Sequence, residues 1–126
     1  MMYKAKLEKQ IMCPLDSFMN TCSGKWKSRI ICLLASEDIR RYSEIRNELK
    51  LISDAVLASV LKELISDKII YRIQYDEIPP KVEYYLTEAG KSTVPILQDM
   101  CRWSIAHHSG EDLDNELSIC SICNQI

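Results

Sequence analysis

Between Ile52 and Asp67 the apolar positions recur at helical spacing. Val56, Leu57, Val60, Leu61, Leu64 and Ile65 fall at i, i+1, i+4, i+5, i+8 and i+9, which is one face at 3.6 residues per turn. Ser53 is placed to cap this helix, because its hydroxyl accepts from N–H groups that the first turn leaves unpaired. Asp54 suits the positive end of the helix dipole. The opposite face shows Ala55, Ala58, Ser59 and Lys62, small or polar side chains that let a helix lie close to a flat or grooved partner.

The chain before this helix reads as short helical pieces. Residues 1–12 form a lead. Pro14 suits the first position of a helix, where its missing N–H is not needed, and that helix ends near Ser23-Gly24, with Gly24 in the left-handed position past the end. A second helix spans about Lys25 to Ala35, its apolar face built from Trp26, Ile30, Ile31, Leu33 and Leu34. Ile39–Tyr42 predicts a very short strand, and Ser43–Leu49 a short helix with Ile45 and Leu49 at i, i+4. Lys50-Leu51-Ile52 then connects tightly into the helix at Ser53. Two short helices joined by a turn of a few residues fit a helix-turn-helix.

After Asp67 the period changes to two. Ile69, Tyr71, Ile73 and Tyr75 alternate along a β-branched, aromatic run. Residues 76–81 turn the chain, with Pro79 and Pro80 unable to supply ladder donors, and Val82–Leu86 returns. Thr87 is placed to cap a last helix, with Gly90 interrupting its start. Val94, Leu97, Met100, Cys101 and Ile105 carry the apolar stripe from Thr93 to about His108, and Ser109-Gly110 ends it. The order predicts a mainly α domain with a small β-hairpin wing, a winged helix-turn-helix over residues 13–109. Residues 110–126 read as an acidic, cysteine-containing tail.

Composition sharpens this in three ways. A length of 126 residues allows one domain with a real core. The net charge of −2 argues against binding nucleic acid by bulk charge, yet residues 25–50 hold seven basic side chains against four acidic ones, and the last 17 residues hold four acids and no base. No run of 18 apolar residues occurs and the N-terminus lacks an apolar signal region, so a cytoplasmic protein without membrane contact is expected. In that compartment the six cysteines, at 13, 22, 32, 101, 120 and 123, are read as mostly reduced thiols.

The residues also carry a resemblance. Cys13-Pro14, Gly24-Lys25-Trp26-Lys27, Arg41-Tyr42-Ser43-Glu44-Ile45, Ile52-Ser53 with Leu57, Leu61 and Glu63-Leu64, Ile78-Pro79-Pro80-Lys81-Val82-Glu83-Tyr84, Leu86-Thr87-Glu88-Ala89-Gly90 and Trp103 together resemble the HxlR-type transcriptional regulators, over about residues 13–105. The resemblance implies a bacterial homodimer with a MarR-like fold, dimerising through its first and last helices on pseudo-palindromic double-stranded operator DNA. It also implies sensing of a small electrophile or oxidant through the cysteine before the first proline, here Cys13, with Cys101 of the other subunit as its counterpart. One departure stands out. Family members often carry Pro-Lys at the positions of Asp54-Ala55 and Thr-Gln-Arg at Ala58-Ser59-Val60, so side chains that read guanine and adenine edges bidentately are absent here.

On this reading Ser53, Ala55, Ala58, Ser59 and Lys62 face the DNA major groove, and either part of the operator is read by shape or DNA binding is weaker than is usual in the family. Lys25, Arg40, Arg41 and Arg46 are candidate phosphate contacts, and Arg72 and Lys81 candidate contacts of the wing. Trp26, Tyr42, Tyr84 and Trp103 are expected in core or dimer packing, and Cys22 and Cys32 in the core. Cys13 sits at a helix start, where the dipole favours a thiolate.

Enzyme chemistry finds no support in the pattern. His107 and His108 are adjacent rather than four apart, and no phosphate loop, dinucleotide fingerprint or nucleophile elbow occurs. Cys120-x-x-Cys123 supplies only two of the four ligands of a structural zinc. No cofactor or metal is expected. The alternative to a DNA-binding regulator is a winged helix used for protein contacts.

Overall fold

The computed structural model describes residues 13–107. The lead before Cys13, His108 and the tail with Cys120 and Cys123 lie outside the described residues. In chain order the elements are α1 (Pro14–Cys22), α2 (Lys27–Ala35), α3 (Tyr42–Leu49), α4 (Asp54–Ser66), β1 (Ile70–Tyr75), β2 (Lys81–Leu86) and α5 (Glu88–His107). This is the expected winged helix-turn-helix, with α3 and α4 as the helix pair and the antiparallel β1–β2 hairpin as the wing.

The core forms around α2. Ile30, Ile31, Cys32, Leu33 and Leu34 are all buried, five consecutive residues covering more than a full turn. A helix apolar all round must be enclosed by other elements, and α2 packs against α1, α3, β2 and α5. Ile45 of α3, Leu57, Leu61 and Leu64 of α4, Tyr84 and Leu86 of β2, and Leu97 of α5 complete the cluster. Cys22 and Cys32 lie inside it, as expected. Local signals set the ends of the elements. Pro14 opens α1, Gly24 takes φ +115° beyond it, and Thr87 caps α5 by accepting from the Gly90 N–H at 3.0 Å.

Two expectations need correction, the strand before α3 and the break at Gly90. The strand at Ile39–Tyr42 shrinks to one bridge, Arg41 with Glu83, beside a 2.8 Å bond from the Tyr84 N–H to the Arg40 carbonyl. The cause is competition: Glu44 Oε1 accepts from the backbone N–H groups of Arg40 and Arg41, so this segment serves as the start of α3, which begins at Tyr42. In the wing, Ile69 and Ile70 are both buried while Tyr71 and Ile73 are exposed. β1 meets the core through Ile70 at the root, whereas β2 contributes Leu86 and Tyr84 with Val82 packed against the core cluster, so alternation of apolar residues along β1 does not mark the buried face.

Gly90 does not interrupt α5. It lies within the helix because a Cβ at this position would sit 2.1 Å from the Ile69 carbonyl oxygen. Trp103, expected in core or dimer packing, lies outside the core of its own chain: it is 62% exposed and stacks on His107, with ring centroids 4.5 Å apart. Ile96, Met100 and Ile105 of α5 and Leu15 and Met19 of α1 are also exposed. Among the described residues, no helix is long and apolar enough to cross a membrane.

The Gly90 contact is with backbone, which cannot rotate away. Gly90→Ala is expected to lower unfolding stability by about 2 kcal/mol, measured by urea denaturation, whereas Ala89→Gly, on the exposed side of the same turn, is expected to cost no more than about 1 kcal/mol.

Candidate nucleic-acid interface

The junction between α3 and α4 fixes how α4 leaves the domain. Lys50 adopts φ 55°, ψ −58°, and the Leu51 N–H donates to the Leu49 carbonyl at 2.6 Å. These are the marks of a three-residue γ-turn in its strained, positive-φ form. The turn throws Leu51 into solvent, at 88% exposure, and drives the next residue, Ile52, into the core. Ser53 then caps α4, its hydroxyl accepting from the Val56 N–H at 3.2 Å.

Leu57, Leu61 and Leu64 root α4 in the core, while Val56, assigned to the same face by its spacing, is exposed. Lys27 of α2 pairs with Glu63 at 2.9 Å and pins the helix's second half. Ala55, Ala58, Ser59 and Lys62 are all exposed, at the i, i+3, i+4, i+7 spacing of a single stripe. The structure therefore brings together the predicted groove-facing residues of α4, with the Ser53 hydroxyl engaged in the cap.

The basic residues divide into groups. Arg41 is exposed and borders the hollow formed by Glu77, Ile78, Pro79, Pro80 and Lys81 at the wing tip, where the Ile78–Pro79 bond is cis. Arg40 lies over the Tyr85 ring, 4.5 Å from its centroid. Lys81 lies 4.8 Å over Tyr75, with Glu83 at 3.9 Å, and Arg72 reaches Gln74 at 3.5 Å. Lys25 sits 4.9 Å over Trp26, away from these groups along the chain. Arg46 is ion-paired with Asp54, its Nε 2.7 Å from Oδ1, and the Tyr42 hydroxyl donates to the same oxygen at 3.1 Å. Burial first, then this bond, raises the Tyr42 hydroxyl above its ordinary value.

Sequence reasoning placed Arg46 but missed its partner. Asp54 reads as a dipole residue because its second role depends on a turn that brings positions eight apart into contact. The wing's polar cluster was missed too. Tyr71 stacks on Tyr85 at 5.5 Å, the Tyr75 and Tyr85 hydroxyls lie 3.3 Å apart, and Tyr85 donates to Glu83 at 3.0 Å. These bonds raise the Tyr75 hydroxyl, through Tyr85 and then Glu83. Burial pushes the Glu83 carboxyl up, but the hydroxyls of Tyr85 and Tyr75 and the charges of Lys81 and Arg41 outweigh it and leave it below its ordinary value.

Cys13 is exposed immediately before α1, and Cys101 is partly buried on α5. Burial pushes the Cys22 thiol up, which makes it a poor nucleophile. Among the described residues, no group of three or more His, Cys, Asp or Glu could hold a metal ion.

Comparison with known proteins places this geometry. The family model described as HxlR-like helix-turn-helix matches residues 21–112. An uncharacterized HTH-type transcriptional regulator of Methanothermobacter thermautotrophicus is 38% identical over 107 residues, covering 85% of this chain and 81% of that protein. Among solved structures, the redox regulator HypR in its oxidized form is similar at TM-score 0.70 and 34% identity, over 77% of this chain and 99% of that chain. The reduced form of the transcriptional regulator YodB from B. subtilis is similar at TM-score 0.65 and 33% identity, over 84% of this chain and 97% of that chain. The family and these relatives are transcriptional regulators, not enzymes.

The start of α3 carries a pH dependence. The N–H groups of Arg41 and then Arg40 hold the Glu44 carboxyl below its ordinary value of 4.5. A depressed carboxylate stabilises the fold fully above that ordinary value and loses its contribution as pH falls through the lowered one. Glu44→Gln is therefore expected to be less stable than the native chain at pH 7, with the difference shrinking below pH 4.5. Urea midpoints measured across that range check it.

Proposed function

The chain belongs to the HxlR-like helix-turn-helix family of transcriptional regulators, and from that premise we propose that it binds pseudo-palindromic duplex DNA as a cytoplasmic homodimer whose binding changes when Cys13 reacts. The observation that carries this reading is the α4 surface. Its inner side is buried and its outer stripe of Ala55, Ala58, Ser59 and Lys62 stands clear of the domain. Such a helix enters the major groove, and two copies read half-sites about one helical turn apart.

Backbone contacts come from exposed or half-exposed cations beside the stripe: Arg40 and Arg41 before α3, Arg72 and Lys81 on the wing, and Lys25 before α2. They position the protein and set the salt dependence, without reading sequence. The dimer forms through α1 and α5, whose exposed Leu15, Met19, Ile96, Met100 and Trp103 leave apolar surface uncovered in one subunit. Residues 13–109 act as the regulatory domain, and the acidic residues 110–126 flank it. An oxidant or electrophile reaches Cys13 because the thiol is exposed. Oxidation with Cys101 of the second copy removes two electrons and two protons and forms one disulfide. Similarity to HypR, a redox regulator, supports this part.

A second reading, a winged helix serving protein contacts, is favoured by one observation: the outer stripe of α4 holds a single cation, Lys62, while Asp54 and Glu63 are exposed on the same helix.

Fluorescence anisotropy with duplex from upstream of the chain's own gene, at two salt concentrations, separates the readings. A regulator is expected to bind that duplex in preference to scrambled DNA, and a protein-contact module to show no preference. Diamide is expected to change binding by the native chain and to leave Cys13→Ser unchanged; an equal response by Cys13→Ser rejects the sensor. Replacing Arg40 and Arg41 together with alanine is expected to weaken binding to all duplexes and, because a dimer loses four cations, to flatten the log–log salt slope by about three to four.

A further inference from the structure

Base reading in the major groove relies on side chains that grip two atoms of one base: arginine or lysine on guanine, asparagine or glutamine on adenine. Of these the outer stripe of α4 offers only Lys62, a compact ammonium without the planar fork of a guanidinium or an amide, beside Ala55, Ala58 and Ser59. Across residues 42–66, both helices of the pair and their turn, the chain has one arginine, Arg46. It stands on α3, yet the γ-turn brings it against the first turn of α4, the part of a recognition helix that meets base edges.

We propose that Arg46, held by Asp54, reads a guanine in each half-site. This inference rests on the DNA-binding reading above. Three contacts make the arrangement specific. Arg46 Nε lies 2.7 Å from Asp54 Oδ1 in an ion pair, the Tyr42 hydroxyl donates to that oxygen at 3.1 Å, and the same hydroxyl lies 3.3 Å from the Asp54 carbonyl. The carboxylate is thus fixed from two sides and in turn fixes the guanidinium. The nearest approach to Asp54 is through Nε, and the Arg46 side chain is 48% exposed. An arginine that grips guanine O6 and N7 end-on uses its two terminal nitrogens and leaves Nε spare. The ion pair at Nε orders the side chain before DNA arrives, which removes part of the entropy cost of binding.

Charge supports this over a plain phosphate contact. Asp54 is itself 66% exposed at the start of α4, where an acid repels the DNA backbone. An Arg–Asp pair has no net charge, so it adds little to counterion release. Its value lies in geometry, and guanidinium geometry is what lysine cannot copy.

The test uses the full chain. A randomised duplex library is selected with the native protein, with Arg46→Lys and with Asp54→Ala. Anisotropy then compares the enriched duplex with one in which the guanine pair of each half-site is replaced by A·T. The native protein is expected to discriminate about tenfold or more per half-site. Arg46→Lys is expected to keep its affinity for arbitrary duplex and its salt slope but to lose that discrimination. Asp54→Ala is expected to bind arbitrary duplex more tightly, having lost an acid, and to discriminate severalfold less. Both replacements lie on exposed side chains, and thermal melting checks that each variant folds. If Arg46→Lys enriches the same motif with the same preference, Arg46 contacts only phosphate and the inference is overturned while the DNA-binding reading stands. If the native protein enriches no sequence, both are overturned.

Discussion

Everything in this domain is arranged around a helix whose stretch from Ile30 to Leu34 has no outer side. Ile30 through Leu34 are buried without a break, so α2 is stable only when other elements enclose it. Neither α1, α3, β2 nor α5 can leave without exposing it. The enclosure positions the site. The element that faces outward, α4, is held by Leu57, Leu61 and Leu64 on one side and by the Lys27–Glu63 pair at its far half. Its outer stripe is therefore presented on a rigid mount, which a surface that reads DNA requires.

The parts legible in the sequence were those decided locally. Ser53, Thr87 and Gly24 sit where caps and a positive φ were expected, because each depends on residues within a turn of itself. The periodicity of residues 56–65 found α4 and its buried leucines. The rest was settled by distant partners. Glu44 took the N–H groups that would have extended a strand at Arg40 and Arg41. The Ile69 carbonyl demanded a glycine inside α5. On the wing, alternation says which residues share a face, not whether that face is covered, and Tyr71 and Ile73 lie exposed.

The candidate site was legible in the same uneven way. The stripe on α4 followed from spacing alone. What the cations touch did not, because Arg40, Lys81 and Lys25 lie over aromatic rings and Arg46 on a carboxylate. Their charge still acts on a polyanion, but their freedom is reduced. A surface of tethered charges, with a net charge of −2 for the whole chain, favours discrimination over indiscriminate attraction.

The contact between Gly90 and the Ile69 carbonyl also has a mechanical meaning. No side chain cushions it, and the Thr87 hydroxyl ties the same spot to the carbonyls of Lys68 and Ile69. The root of the wing and the base of α5 thus behave as a welded joint. From that joint α5 extends 20 residues, about 30 Å at 1.5 Å per residue. It is a lever with a short arm at the wing and a long arm bearing Cys101 and Trp103. With no side chain there to yield, the base of α5 and the root of the wing are held as one piece.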